Sequence, residues 1–129
     1  MPDEYAIKLG GMGLCKLLVD TVDKHRGDSI VVKDGIAAMG NFMGGMPPHF
    51  AMMGDAGACE VAMRALNDFA QDPAIVKMCA LTIVKLATVE QFRPTLLSLG
   101  AEKALKNPLA ANIAPTAMRV LHHQGPYNP

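Results

Sequence analysis

Between Gly54 and Ala87 apolar residues recur every three or four positions almost without interruption. Ala58, Val61, Ala62, Ala65 and Leu66 are followed by Ile75, Val76, Cys79, Ile83 and Leu86. This is the helical period, with one break at Asp72-Pro73. There Asp is suited to cap free amides and Pro to occupy a first helical turn. The spacing therefore predicts two helices, over about 57–70 and 73–87. The second is apolar on more than one side, as expected of an element covered by two neighbours.

The pattern is not confined to this stretch. Gly13 lies 44 residues before Gly57, and at the same offset Cys15 falls on Cys59, Asp28 on Asp72, Val32 on Val76 and Lys33 on Lys77. Apolar positions coincide almost throughout the overlay, which needs no gap. Asp28-Ser29 takes the capping place of Asp72-Pro73. A third, eroded copy re-enters the register at Leu99-Gly100-Ala101, and Asn107-Pro108 cuts its helix short because Pro lacks an amide donor. A last helix is expected over about 114–123, with Pro115 in its first turn.

Each unit thus reads as a short helix followed by two longer ones. The short helices are expected over about 3–9, 48–53 and 90–99, closed by Gly10, Gly54 and Gly100 as residues able to take left-handed angles. The units run over about 3–45, 46–88 and 89–123, the third degenerate, with a turn-rich tail at 124–129. All of this describes a single all-α domain of stacked layers rather than a core built around one sheet.

A three-helix unit of this length, with Gly ahead of its second helix, resembles the armadillo repeat. The residues carrying the likeness are GDAGACEVAMRAL from Gly54, DPAIVKMCALTIVKLA from Asp72, and IAAMGNFM from Ile36. The resemblance covers nearly the whole chain and implies a short right-handed α-solenoid of about three armadillo-like repeats. It also implies a concave groove lined by the third helices, where an Asn amide both donates to and accepts from an extended peptide backbone. Asn41 stands at that position. Lys85 replaces it in the second copy. In the third, His122 or Val120 aligns, depending on whether Ala117 is set on Ala80 or on Ala38.

Composition narrows the function more than it names it. Lys plus Arg and Asp plus Glu number 12 each, so no net positive charge points to nucleic acid. No run of apolar residues is long enough for a membrane span. Cys15, Cys59 and Cys79 have no CxxC spacing and read as buried thiols of a reducing, intracellular compartment, the cytoplasm first. Cys15 and Cys59, placed near the start of the second helix of each unit, could be activated there, but no His lies near either in the sequence. His122 and His123 are adjacent, so on a helix they diverge by about 100°. With His25 and His49 far off, no metal set is expected. No catalytic residue, cofactor or small-molecule substrate is expected.

Four of the ten methionines, Met43, Met46, Met52 and Met53, fall in one stretch. GNFMGGMPPHFAMMGD, from Gly40, bends at Gly44-Gly45 and Pro47-Pro48 between the first and second units. Thioethers adapt to irregular partners as readily as to an irregular core. Phe42, Met46, His49 and Phe50 are therefore candidate partner contacts, or fillers of the seam between units. The functional expectation is a non-enzymatic interaction module, a scaffold or accessory subunit or assembly factor that grips a protein partner or a copy of itself. The alternative is a peptide receptor using Asn41, Lys85 and His122.

Overall fold

In a computed structural model that describes residues 4–123, those residues are helical or in turns, with no strand among them. α1 spans Glu4–Lys24, α2 Ser29–Met43, α3 Pro47–Asp55, α4 Ala58–Asp68 and α5 Pro73–Ala87. α6 spans Arg93–Ser98, α7 Ala101–Ala104 and α8 Ala114–Leu121, with 3₁₀ turns at Glu90–Phe92 and Pro108–Ala110. The tail expected at 124–129, the helix start expected at residue 3 and the side chains of 4–10 lie outside the described residues.

The longest well-capped helices begin where the two Asp residues stand. Asp28 accepts from the amides of Ile30 at 3.0 Å and Val31 at 3.3 Å. Asp72 does the same for Ala74 at 3.1 Å and Ile75 at 3.2 Å, with Pro73 in the first turn. Each cap satisfies two amides that have no partner within the helix.

The helices assemble as neighbours in chain order. α1 packs on α2 and α4 on α5. α2 lies against α5 and α5 against α8, while α4 touches both α1 and α7. α5 is therefore covered on two sides, which is why Ile75, Val76, Cys79, Ala80, Ile83 and Leu86 are all buried. One apolar cluster runs through all the layers. Several positions 44 apart share depth in it, Cys15 with Cys59, Val22 with Leu66, Val32 with Val76 and Met39 with Ile83, whereas Leu14 and Leu17 are exposed and their counterparts Ala58 and Val61 are buried.

Three glycines behave otherwise than the spacing predicts. α1 runs unbroken through Gly10, Gly11 and Gly13, so the short helix expected over 3–9 is not closed at Gly10. A Cβ at Gly11 would collide with the methyl of Met52, on α3. The absence of a side chain there serves close approach of two helices rather than a turn. Gly54 likewise lies inside α3, under the ring of Phe92. The left-handed residue that separates α3 from α4 is Gly57, at φ 107°, and its counterpart before α7 is Gly100, at φ 89°. Gly13 and Gly57, which the overlay makes equivalent, thus have different backbones: Gly13 is helical and Gly57 is not.

Candidate functional site

Asn41 on α2 and Lys85 on α5 border one open groove. Ile36, Ala37 and Gly40 line it from α2, and Met78, Leu81 and Thr82 from α5. It exists because α2 and α5 lie side by side and α2 has a glycine at 40, where a Cβ would meet nothing within 4 Å. The Thr82 hydroxyl donates back to the Met78 carbonyl at 2.9 Å, so that wall presents mainly carbon. Lys85 Nζ donates across the groove to the Gly40 carbonyl at 3.4 Å. Leu81 is exposed on the α5 side, and Ile30 is exposed at the start of α2. The result is an apolar strip edged by one amide and one ammonium. It suits a segment with an apolar side chain and a nearby carbonyl or carboxylate.

His122 does not line this groove. It follows the last turn of α8, and its Nε2 lies 3.1 Å from Oε1 of Glu102 on α7, both side chains half exposed. The structure therefore brings Asn41 and Lys85 together and leaves His122 apart. The reason is local: α8 is short and is entered through a 3₁₀ turn. Val120, the other candidate, is buried.

The methionine-rich bend is mostly interior. Met43 and Met53 are fully buried and Met52 packs against the core. Phe50, expected as a partner contact, is itself a core residue and has no surface to offer. Phe42 and His49 are half-buried and engage each other. Their rings stack with centroids 4.5 Å apart and 19° between planes, and His49 Nδ1 lies 2.8 Å from the Phe42 carbonyl oxygen. That pair closes the bend across the Gly-Gly and Pro-Pro turns. Of the four residues proposed there, Met46 alone is largely exposed.

The three thiols are free and buried. Burial pushes Cys59 up to about 12, reinforced by the neighbouring Glu60 carboxylate, and pushes Cys79 up to about 12 by desolvation alone. Desolvation also raises Cys15. Cys59 lies near a helix start, yet burial outweighs the amide dipoles there. Cys15 is nowhere near one, since α1 begins at Glu4. These are poor nucleophiles. Among the described residues, no three His, Cys, Asp or Glu side chains converge to hold a metal ion. No described helix is long and apolar enough to cross a membrane.

Arg93 was not singled out by its sequence setting, and it is the most consequential polar residue of the interior. It is 4 % exposed. Its Nε donates to the Ala87 carbonyl at 2.7 Å, Nη1 to the His123 carbonyl at 2.8 Å and Nη2 to the Thr88 carbonyl at 3.4 Å. A cation among carbonyls at two helix C-termini is favoured by their aligned dipoles. One signal was available: Arg93 stands three residues before Leu96, on the face that the apolar period assigns to the core.

A scan against models of known protein families finds no match, and searches of curated proteins and of solved structures find none either.

Proposed function

We propose that this chain is a non-enzymatic protein–protein interaction module, a short right-handed α-solenoid of three armadillo-like layers that serves as a scaffold or accessory subunit of a larger assembly. The observation that carries this reading is the α2–α5 groove, an apolar strip with exposed Leu81 between Asn41 and Lys85. Exposed apolar area gains free energy when covered, at roughly 25 cal/mol per Å². A polar rim then fixes the orientation of whatever covers it. The order of packing, α2 on α5 on α8, supports the layered part of the reading.

The test is affinity purification of the tagged chain from the cells that make it, in parallel with Leu81→Asp. Leu81 is exposed, so the substitution spares the core. Wild type is expected to retain a stoichiometric protein partner that Leu81→Asp loses. Equal recovery by both chains, or none by either, overturns the groove as the docking site.

A narrower reading follows from Asn41 and Lys85 standing 44 residues apart and sharing one groove. The groove then takes an extended peptide, with the amide pairing to its backbone and the ammonium to an acidic side chain. Asn41→Ala is expected to weaken peptide binding by about tenfold, equivalent to about 1.4 kcal/mol. An unchanged affinity in fluorescence anisotropy disposes of this reading alone.

A further inference from the structure

The charges of the folded chain are sorted by side, although their sum is zero. Along α1 and α4 acids and bases meet: Asp20 pairs with Lys16, Asp68 with Arg26 and Asp23 with Arg64. α2, α5 and α8 instead carry Lys33, Lys77, Lys85 and Arg119 against a single carboxylate within the helices, Asp34. The two Asp caps ahead of α2 and α5 are already engaged with amides. Among the described residues neither Lys33 nor Lys85 forms an ion pair.

Both lysines belong to the α2–α5 groove. Lys85 lines it and reaches the Gly40 carbonyl only at 3.4 Å, so its ammonium keeps donors for a ligand. On α2 the lining positions from Ile36 to Asn41 cover an arc of about 140°, and Lys33, one turn before Ala37, falls inside it. Asp34 falls outside that arc, past Asn41. α1 and α4 run the same way, since Asp23 and Arg26 meet Arg64 and Asp68 in order. Each turns back into the helix packed on it, so α2 and α5 also run the same way. Lys85 thus stands level with Asn41, eight residues beyond Lys33, which is about 12 Å along the groove. Between these heights lie Met78 and Leu81, the latter 47 % exposed. The groove has an ammonium at each end and a carbon floor between.

We propose that this groove takes an acidic, extended segment of another protein, in the pattern acid-x-apolar-x-acid, with Lys33 and Lys85 as its specificity-determining residues. An extended chain rises about 3.3 Å per residue and turns every second side chain to the same side. Carboxylates four residues apart then span about 13 Å, which matches the separation of the two lysines. The apolar side chain midway between them meets Leu81. A helix spreads the same two carboxylates over only about 6 Å. A carbon floor with single cations at its ends offers little to a phosphate backbone, which favours a continuous row of bases. A second copy of this chain is no better suited. Its one run of the required pattern is Asp68 to Asp72, and those carboxylates are engaged with Arg26 and with the first amides of α5.

The inference rests on reading the α2–α5 groove as a docking site, and adds the charge and spacing of what docks there. The experiment selects random displayed peptides on the full chain, then measures fluorescence anisotropy with a labelled peptide carrying two glutamates four apart around a leucine. Selection is expected to enrich acidic sequences of that pattern. The labelled peptide is expected to bind, and to bind less well as salt is raised. Moving the second glutamate by one position, or substituting Lys33→Gln or Lys85→Gln, is expected to weaken binding by about tenfold. Lys16→Gln, on α1, is expected to leave it unchanged, and circular dichroism checks that each variant folds. Enrichment of neutral or basic peptides, or an affinity indifferent to both groove lysines, overturns the proposal. So does a single-stranded oligonucleotide that binds more tightly than the peptide and is lost with the same lysines. A protein partner that Leu81→Asp loses while Lys33→Gln and Lys85→Gln retain it in full rejects the acidic segment and leaves the module reading standing.

Discussion

Arg93, in the first turn of α6, donates from Nη1 to the carbonyl of His123, 2.8 Å away and just past the end of α8. Its Nε meanwhile serves the Ala87 carbonyl at the end of α5. One side chain so ties the last turn of the central helix to the end of the last one. Replacing it by Leu keeps much of the bulk but withdraws these donors from the buried Ala87 carbonyl and the part-buried carbonyls of Thr88 and His123. A buried carbonyl left unsatisfied costs about 1–3 kcal/mol. Arg93→Leu is therefore expected to lower stability by about 1–3 kcal/mol, read as a fall in the urea midpoint. Arg93→Lys, with a point charge and no fork, is expected to recover only part of that.

The glycines separate into kinds that substitution to Ala distinguishes. Gly57 and Gly100 hold positive φ, where a Cβ is strained, so Gly57→Ala and Gly100→Ala are expected to cost about 1–2 kcal/mol each. Gly54→Ala places a methyl into the Phe92 ring and is expected to cost about 1–3 kcal/mol through displaced packing. Gly13→Ala, helical and unobstructed, is expected to stabilise the monomer by up to about 1 kcal/mol. Thermal unfolding of the four variants at low concentration checks the order and the sign.

The two Asp caps make a matched pair. Asp28→Ala and Asp72→Ala each remove an acceptor from two amides and are expected to cost about 1 kcal/mol. The corresponding Asn variants are expected to lose little, because an amide oxygen accepts as well. Chemical denaturation of the four chains is the measurement. A much larger loss at Asp72 would mean that α5, packed on both sides, is more sensitive to its start than α2.

Burial of the thiols sets a pH dependence with a definite sign. Below about pH 9 the folded and unfolded chains both hold these protons, so the thiols leave stability unchanged. Above it the unfolded thiols ionise, while Cys59 and Cys79 stay protonated up to about 12. Stability is thus expected to fall between about pH 9 and 12, by about 1.4 kcal/mol per pH unit for each thiol. Cys79→Ala is expected to show a shallower decline than wild type over that range. At neutral pH, a thiol reagent is expected to modify the folded chain slowly and the urea-unfolded chain at once.

How far the pattern could be read depends on what each residue was answering to. The starts of α2 and α5 were legible because a cap is a local device: Asp28 and Asp72 accept from amides two and three residues on. The bounds of α5, from Pro73 to Ala87, follow from period and cap together. The groove was partly legible. The offset of 44 pairs Asn41 with Lys85, and neighbouring helices make that pair one rim. His122 was misplaced because the third copy no longer keeps the spacing, and Phe50 because an aromatic near a turn looks the same in sequence whether it faces in or out.

The chain by itself thus determined its helical class, its two Asp-capped starts, the depth shared by some positions 44 apart, such as Cys15 and Cys59, and the burial of its thiols, all consequences of short-range periodicity and hydrophobicity. Only the tertiary structure decided what each glycine is for and where Arg93 sends its donors. Gly11, Gly54 and Gly57 are the same letter, and nothing local tells a residue chosen for a left-handed turn from one chosen for lacking a Cβ. The difference lies in what comes up against it, and for Gly54 that is a ring 38 residues away, on Phe92.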